Sequence, residues 1–232
     1  MLRYLKSIWA LIAPNLCLSC QLYHKPDKGV LCPSCVSTLS FTQTWRRPAK
    51  NELTDKFDNH EQINQGIALY YLDEDSVLQS VVYAIKYAGR EDIAYDIGQS
   101  FGRRILEMDL FESVDMIIPI PLHKKKHHQR GYNQSHAIAE GIASELNKQI
   151  NSKALRRIKN TQTQTDMSKE QRLINVQGAF ELGDVTGLTD AHILLVDDVV
   201  TTGATCSACM AVLSEVPGLT FSIATIALPI DF

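Results

Sequence analysis

An apolar tetrapeptide followed by two aspartates and a hydroxyl-rich loop is the feature that most constrains the fold of this chain. The segment begins with Ile193-Leu-Leu-Val, continues through Asp197 and Asp198, and reaches Gly203 by way of two threonines. A fully apolar strand of this kind is typical of a parallel sheet that is covered on both faces. Its carboxyl end brings both carboxylates to the edge of the sheet where ligands bind in such folds.

The loop after the aspartates has the composition of a phosphate-binding loop. It carries hydroxyls at Thr201, Thr202 and Thr205 and leads into a helix predicted over residues 205–216. Backbone N–H groups at the start of a helix bind anions, and Gly203 permits close approach of the backbone. The glycine patterns of P-loops and of dinucleotide-binding loops do not occur in the chain. We therefore predict a sugar-phosphate site; an acidic strand end before an ordinary capped helix is the alternative.

Short apolar runs alternate with helical patterns over much of the remaining chain. Strands are predicted at 67–72, 116–120, 154–158 and 221–228, and helices at 76–87, 92–108 and 134–146. This alternation predicts an α/β fold with a mostly parallel sheet flanked by helices. Because 45% of the 232 residues are hydrophobic, the chain can bury one sizeable core and a small satellite.

The sequence divides into three predicted regions. Residues 1–41 would hold an N-terminal helix and a cysteine module, 42–65 a polar linker, and 66–232 the α/β domain. The apolar stretch at 2–13 is too short to span a bilayer, which needs about 20 apolar residues. No other apolar run is long enough either, so we expect no membrane span and a cytoplasmic location.

Four of the six cysteines form two C-x-x-C pairs near the N-terminus. Cys17 and Cys20 are separated from Cys32 and Cys35 by eleven residues, and four thiolates suit tetrahedral zinc. The segment is too small to have its own core, and a bound metal would supply the missing stability. Four thiolates leave no position for a catalytic water, so a structural zinc is predicted. Disulfides and an iron–sulfur cluster are the alternatives, and a reducing compartment disfavours the first.

A cation-rich segment follows the predicted strand at 116–120. Residues 123–130 contain four fixed cations and three histidines. Since the net charge of the chain is −3, any binding of nucleic acid must rest on a local patch such as this one. We expect an anion site or a contact surface for single-stranded DNA, and a solvated charged loop is the alternative. Arg130, Asn133 and Gln134 either contribute to this surface or only brace the following helix.

Two pairs of side chains on predicted helices are expected to serve packing. Tyr83 and Tyr87 lie four residues apart, a spacing that is more typical of a core than of a base-stacking pair. Cys206 and Cys209 share one helix face behind the loop, where we expect them to be buried against the sheet.

Residues 197–205 resemble the signature of the type I phosphoribosyltransferases, which bind phosphoribosyl pyrophosphate (PRPP). The resemblance implies that the two aspartates hold the ribose hydroxyls, the loop holds the 5′-phosphate, and Mg²⁺ bridges the ribose hydroxyls and the pyrophosphate. The PRPP-binding residues that it implies are Asp197, Asp198, Val199, Val200, Thr201, Thr202, Gly203, Ala204 and Thr205. The implied pyrophosphate or anion contacts are Pro119, Ile120, Pro121, Lys86, Lys124 and Arg130.

The order of motifs along the chain resembles the ComF family, including ComFC and GntX-like proteins. After the cysteine pairs come Ala84-Ile-Lys86-Tyr, Pro119-Ile-Pro121-Leu, Arg130-Gly-Tyr-Asn133-Gln134, the series Gln164, Arg172 and Asn175, and the Asp-Asp loop. The family implies a role in natural competence, with handling of single-stranded DNA and contacts with the competence machinery. The candidate lid or DNA-contacting residues are Lys125, Lys126, Asn133, Gln134, Gln164 and Arg172. The alternative function is an active, Mg²⁺-dependent phosphoribosyltransferase that acts on a nucleobase or another small acceptor and has no role with DNA.

Overall fold

A computed structural model describes residues 16–23, 29–57, 60, 62–160, 171 and 175–230 of the chain. The predicted N-terminal helix and the candidates Gln164 and Arg172 lie outside the described residues. None of the helices in the described ranges combines the length and the apolar character that a membrane span requires.

The central sheet is parallel throughout. The strands of the described chain are β1 (Ile63–Leu72), β2 (Met116–Pro119), β3 (Gln149–Ile150), β4 (Leu155–Arg157), β5 (Phe180–Leu182), β6 (His192–Val199) and β7 (Thr220–Pro229). Five of them form one sheet in the order β1-β7-β6-β2-β3, and every neighbouring pair runs parallel. Strands β4 and β5, by contrast, form a separate antiparallel pair.

Helices cover both faces of this sheet. The helices of the described residues are α1 (Pro33–Ser37), α2 (Val77–Tyr87), α3 (Glu91–Glu107), α4 (Lys124–Arg130), α5 (Gln134–Leu146) and α6 (Ala204–Leu213). Of these, α2, α3 and α5 pack on one face and α6 packs on the other. Along β6, Leu194 packs into the cluster that contains α2, α3 and α5, whereas Leu195 packs into the cluster that contains α6. The strand is therefore buried on both faces, and the predicted α/β fold with a mostly parallel sheet is confirmed.

Helix α5 lies unusually close to α3 because glycines face each other at the crossing. A Cβ atom on Gly141 would lie 2.2 Å from the Tyr95 carbonyl oxygen, and one on Gly98 would lie 2.3 Å from that of Ile138. Only glycine leaves room for backbones at this separation. The close crossing fixes the position of α5, whose first turn contacts the candidate site.

In the segment predicted as a polar linker, 42–65, residues 42–57 pack against the sheet, and Ile63 already begins β1. The segment contains two short 3-10 helices, Thr44–Arg46 and Thr54–Phe57. Leu53 and Phe57 are buried in the same cluster as α6. These two apolar side chains hold the segment in place. The other residues of the segment are mostly polar, so its composition alone does not predict this packing.

Burial is expected for two pairs of side chains, the cysteines of α6 and the tyrosines of α2. Cys206 and Cys209 are buried on α6, as expected. The expectation that Tyr83 and Tyr87 belong to the core is wrong, because both rings are exposed. Helix α2 buries its other face, which carries Leu78, Val81, Ala84 and Ile85.

Candidate functional site

A cavity of about 440 Å³ opens at the carboxyl ends of β2 and β6. These strands are neighbours, but the chain leaves β2 toward β3 and leaves β6 toward β7, in opposite directions across the sheet. Ligands of open α/β sheets bind at such a switch point. The charged residues that line the cavity are Glu74, Lys86, Lys126, Arg130, Arg157, Asp197 and Asp198.

The two aspartates at the end of β6 are held by groups from two different helices. The Ser135 hydroxyl, at the start of α5, donates to Asp197 Oδ1 over 3.0 Å. The Lys86 ammonium on α2 lies 3.2 Å from Asp198 Oδ2. Each aspartate also accepts a hydrogen bond from the backbone N–H of the next residue, over 2.9 Å and 2.7 Å. The carboxylates are therefore fixed in position before any ligand binds.

Asp197 lies in an environment that opposes its ionisation. Burial and, to a smaller extent, the neighbouring carboxylate of Asp198 raise the pKa of Asp197 to about 7. Lys86 and the hydrogen bond from Ser135 lower this pKa and offset part of the rise. A carboxyl group near its pKa at neutral pH accepts or donates hydrogen bonds according to its protonation state. Asp197 can therefore match a hydroxyl group in either state.

The loop after the aspartates contributes hydroxyls and backbone to the same cavity. Thr201 and Thr205 line it, whereas the Thr202 hydroxyl accepts a hydrogen bond from the backbone N–H of Ala204 over 3.4 Å. Gly203 has a φ of +79°, and a Cβ atom there would lie 2.7 Å from a ring carbon of Phe57. The loop conformation therefore requires glycine at this position.

Not every predicted loop residue presents a side chain to a ligand. Val200 and Ala204 are buried, so they offer only backbone groups, and Val199 lines the cavity. A hollow of about 20 Å³ lies within the loop, bordered by Thr201, Gly203 and Thr205 among others.

The predicted basic loop is in fact the helix α4. The His123 side chain accepts a hydrogen bond from the Lys125 backbone N–H at its start, and Gly131 ends it with a φ of +83°. Lys126 and Arg130, one turn apart, both line the 440 Å³ cavity. Burial and the nearby guanidinium groups of Arg157 and Arg130 lower the pKa of Lys126 to about 8. Lys126, Arg130 and Arg157 thus bring positive charge to the cavity that also holds the aspartates.

The other predicted anion and DNA candidates have different positions. Ile120 and Pro121 line the cavity, whereas Pro119 is buried in β2. Lys125 is exposed, and Lys124 faces a second cavity of about 630 Å³ on the other side of α4. The walls of both cavities include Pro121, Leu122 and Arg157.

Asn133 and Gln134 both support the geometry around α5. The Asn133 amide donates to the Ile120 carbonyl oxygen over 3.0 Å, and its oxygen accepts from the Ser135 N–H over 3.2 Å. Gln134 is buried, lines the cavity, and accepts a hydrogen bond of 2.8 Å from the Arg130 guanidinium. Asn133 thus caps α5, as the bracing alternative expects, and Gln134 positions a cation.

Ser135 and Arg157 are among the cavity residues that sequence reasoning missed. Ser135 directly follows the Asn133-Gln134 motif, so its position next to a motif was the available signal. Arg157 is half-buried between the two cavities, and its guanidinium lies 5.1 Å over the Phe180 ring. Because this contact joins β4 to β5, which are distant in sequence, no local pattern indicates it.

The four N-terminal cysteines converge on one point. Their Sγ atoms all lie within 4.8 Å of one another, and those of Cys20 and Cys32 are 3.7 Å apart. Tetrahedral zinc with Zn–S bonds of about 2.3 Å has S–S edges of about 3.8 Å. Cys17 and Cys35 are buried in the main core cluster, so the module packs on the α/β fold. The four thiols fit one zinc ion.

Curated relatives support the resemblance to ComF-type proteins. DNA utilization protein YhgH of Salmonella typhimurium is 33% identical over 132 residues, which cover 55% of this chain and 57% of that protein. Competence protein F of Haemophilus influenzae is 34% identical over 92 residues, or 39% and 40% of the two chains. Competence protein ComFC of Bacillus subtilis is 24% identical over 197 residues, or 82% and 74%. The resemblance predicted from the order of motifs is confirmed.

The extent of these similarities is limited. The chain spans a little more than half the length of the first of these relatives. No protein-family model matches the chain. Among solved structures, adenine phosphoribosyltransferase of Trypanosoma brucei overlaps with a TM-score of 0.40 at 12% identity, covering 68% of this chain and 83% of that one. Adenine phosphoribosyltransferase of Leishmania tarentolae overlaps with a TM-score of 0.38 at 10% identity, covering 70% of this chain and 78% of that one. Overlaps of this size define neither fold nor activity.

Replacing Asp197 should change how stability depends on pH. The pKa of Asp197 is raised from 3.8 to about 7 in the folded chain, so folding loses stability as pH rises from about 4 through 7. We expect Asp197→Asn to unfold at a higher urea concentration than the wild type at pH 8, with the difference shrinking toward pH 4.

Ser135→Ala serves as a second variant in the same urea titration. It removes a hydrogen bond that lowers the pKa of Asp197, so the loss of stability should extend to higher pH than in the wild type. A stability gain in Asp197→Asn that is equal at pH 4 and pH 8 would show that Asp197 is not an unfavourably buried charge.

Proposed function

We propose that the cavity at the ends of β2 and β6 binds PRPP. The observation that carries this proposal is the presence of two fixed carboxylates, a hydroxyl-bearing loop and a group of cations in the walls of one cavity. A pentose offers hydroxyls to carboxylates, whereas its phosphate and diphosphate need N–H donors and cations. PRPP combines these three requirements in one molecule.

In this proposal each wall of the cavity has its own role. Asp197 and Asp198 accept hydrogen bonds from the ribose hydroxyls, and the loop from Thr201 to Thr205 binds the 5′-phosphate. Lys126 and Arg130 neutralise the diphosphate. Magnesium fits such a site because it binds through few carboxylates together with substrate phosphates and retains several waters. It would supply further positive charge at the diphosphate.

Removing both carboxylates should abolish PRPP binding. We expect heat of binding for the wild type with PRPP and Mg²⁺ in isothermal titration calorimetry, and none for Asp197→Asn with Asp198→Asn. The matched control, Glu107→Gln with Asp109→Asn, removes the same two charges from exposed positions at the end of α3 and should bind as the wild type does.

The same titration separates binding from catalysis. Adding a panel of nucleobases and measuring released pyrophosphate would identify an active transferase and its acceptor. Heat without release would support a protein that binds PRPP without transfer, and absence of heat in the wild type would overturn the proposal.

We also propose that the protein handles single-stranded DNA in natural competence. Two relatives carry the names DNA utilization protein and competence protein, and α4 offers exposed cations outside the cavity. Cations that neutralise phosphates release counterions, so affinity for a strand falls as salt rises. The salt dependence of binding therefore reports directly on α4.

Removing the lysines of α4 should weaken this salt dependence. We expect the variant with Lys124, Lys125 and Lys126 changed to Ala to bind oligo(dT) more weakly. The slope of log affinity against log salt should be shallower by about 2, because each phosphate that a lysine neutralises on a single strand contributes about 0.7 to the slope. Fluorescence anisotropy measures both the affinity and the slope. A control variant with Lys50, Arg103 and Lys148 changed to Ala should keep the wild-type slope, and an unchanged slope in the α4 variant would contradict the proposal.

We further propose that the four clustered cysteines bind one structural zinc ion. Elemental analysis of the purified protein should find one zinc per chain, and Cys17→Ser should lose it together with thermal stability. Cys209→Ala, in the other C-x-x-C pair, should retain the metal. Iron in place of zinc, or disulfides among these four cysteines, would contradict this assignment.

A further inference from the structure

Two tyrosine rings stand on the outer face of α2 beside the mouth of the cavity. The exposed fractions are 64% for Tyr83 and 57% for Tyr87. Their centroids are 5.1 Å apart, with an angle of 46° between the rings. Four residues along a helix correspond to about 6 Å of axial rise, so the rings follow one another along α2. Adjacent exposed rings of this size form an apolar surface that water solvates poorly.

The position of these rings relative to the cations indicates what they contact. The Arg130 guanidinium lies 5.3 Å over the Tyr87 ring and also donates a hydrogen bond of 2.8 Å to Gln134. Tyr87 also lines the 440 Å³ cavity together with Lys126, whereas Tyr83 lies one turn farther out on α2. Tyr87 thus contacts one cation directly and shares the cavity lining with a second, and Tyr83 extends the aromatic surface away from them.

This combination fits one class of macromolecule better than others. Single-stranded nucleic acid stacks its bases on aromatic side chains while cations bind its phosphates. An acidic peptide would bind the cations, but it does not carry a planar ring at every residue that could stack on the tyrosines. A duplex keeps its bases stacked inside, away from the rings.

We propose that Tyr83 and Tyr87 form a stacking platform for the bases of single-stranded DNA, whose phosphates are bound by Lys126, Arg130 and the exposed lysines of α4. This inference rests on the DNA-handling part of the proposed function. It shares Lys126 and Arg130 with the proposed PRPP site, so PRPP and the strand would compete for these two cations. It assigns base contacts, whereas the salt dependence of α4 reports only phosphate contacts. Because Tyr87 lines the cavity, the strand runs along α2 toward its mouth.

Removing the rings should weaken binding without changing its dependence on salt. Base stacking on an aromatic ring accounts for a loss of about tenfold or more when the ring is removed. We therefore expect Tyr83→Ala with Tyr87→Ala to bind fluorescent oligo(dT) about a hundredfold more weakly by anisotropy. The slope of log affinity against log salt should equal that of the wild type, since this variant keeps every cation.

Two further variants separate stacking from other effects. Tyr83→Phe with Tyr87→Phe keeps the rings and removes the hydroxyls, so it should bind within about threefold of the wild type. Leu106→Ala removes a side chain with 50% exposure from α3 and should leave binding unchanged. Circular dichroism checks that each variant is folded. We expect all of them to fold, because the substituted side chains are exposed.

Several results would overturn the platform. These are wild-type affinity in the double Ala variant, an equal loss in the double Phe variant, an equal loss in Leu106→Ala, or a shallower salt slope without the rings. Equal affinity for duplex and single strands, or tighter binding of oligo(U) than of oligo(dT), would also contradict the assignment to single-stranded DNA.

A single variant distinguishes loss of the stacking platform from loss of PRPP binding. Tyr83 does not line the cavity, so Tyr83→Ala should give wild-type heat with PRPP while losing affinity for oligo(dT). Loss of oligonucleotide binding with retained PRPP heat supports the platform, and loss of both in this variant contradicts it.

Discussion

The adjacent carboxylates of Asp197 and Asp198 at the end of β6 are the constraint on which the site depends. Two acids in consecutive positions repel each other, and burial increases the cost of ionising both. The fold offsets this cost with a hydroxyl from α5 and an ammonium group from α2. Those helices must therefore meet the end of β6 closely, and the glycine crossing of α3 and α5 allows one of them to do so.

The same cavity holds acidic oxygens and crowded cations. The oxygens lie at the end of β6, and the cations come from α4 and from Arg157 of β4. Burial and the neighbouring guanidinium groups lower the pKa of Lys126. A ligand with hydroxyls at one end and several phosphate charges at the other relieves both conflicts. The loop after the aspartates is held by Phe57, whose ring occupies the space next to Gly203.

The sequence indicates those parts of the site that are contiguous along the chain. The apolar strand, the two aspartates and the loop follow one another, so their joint position at a sheet edge is predictable. Arg157 reaches the cavity from a separate strand pair, which local patterns do not reveal. The spacing of Tyr83 and Tyr87 cannot separate core from surface, because residues four apart share a helix face whether that face is buried or exposed. The burial of Leu53 and Phe57 is equally hidden, since only the folded loop creates the space that they fill.

A crystal structure of the protein with ribose 5-phosphate would show whether the aspartates and the loop bind a pentose and its phosphate together, because this ligand carries both but no diphosphate. We expect the phosphate within the loop from Thr201 to Thr205 and the ribose hydroxyls within hydrogen-bonding distance of Asp197 and Asp198. Density for the phosphate on Lys126 and Arg130, with the pentose away from both aspartates, would contradict it.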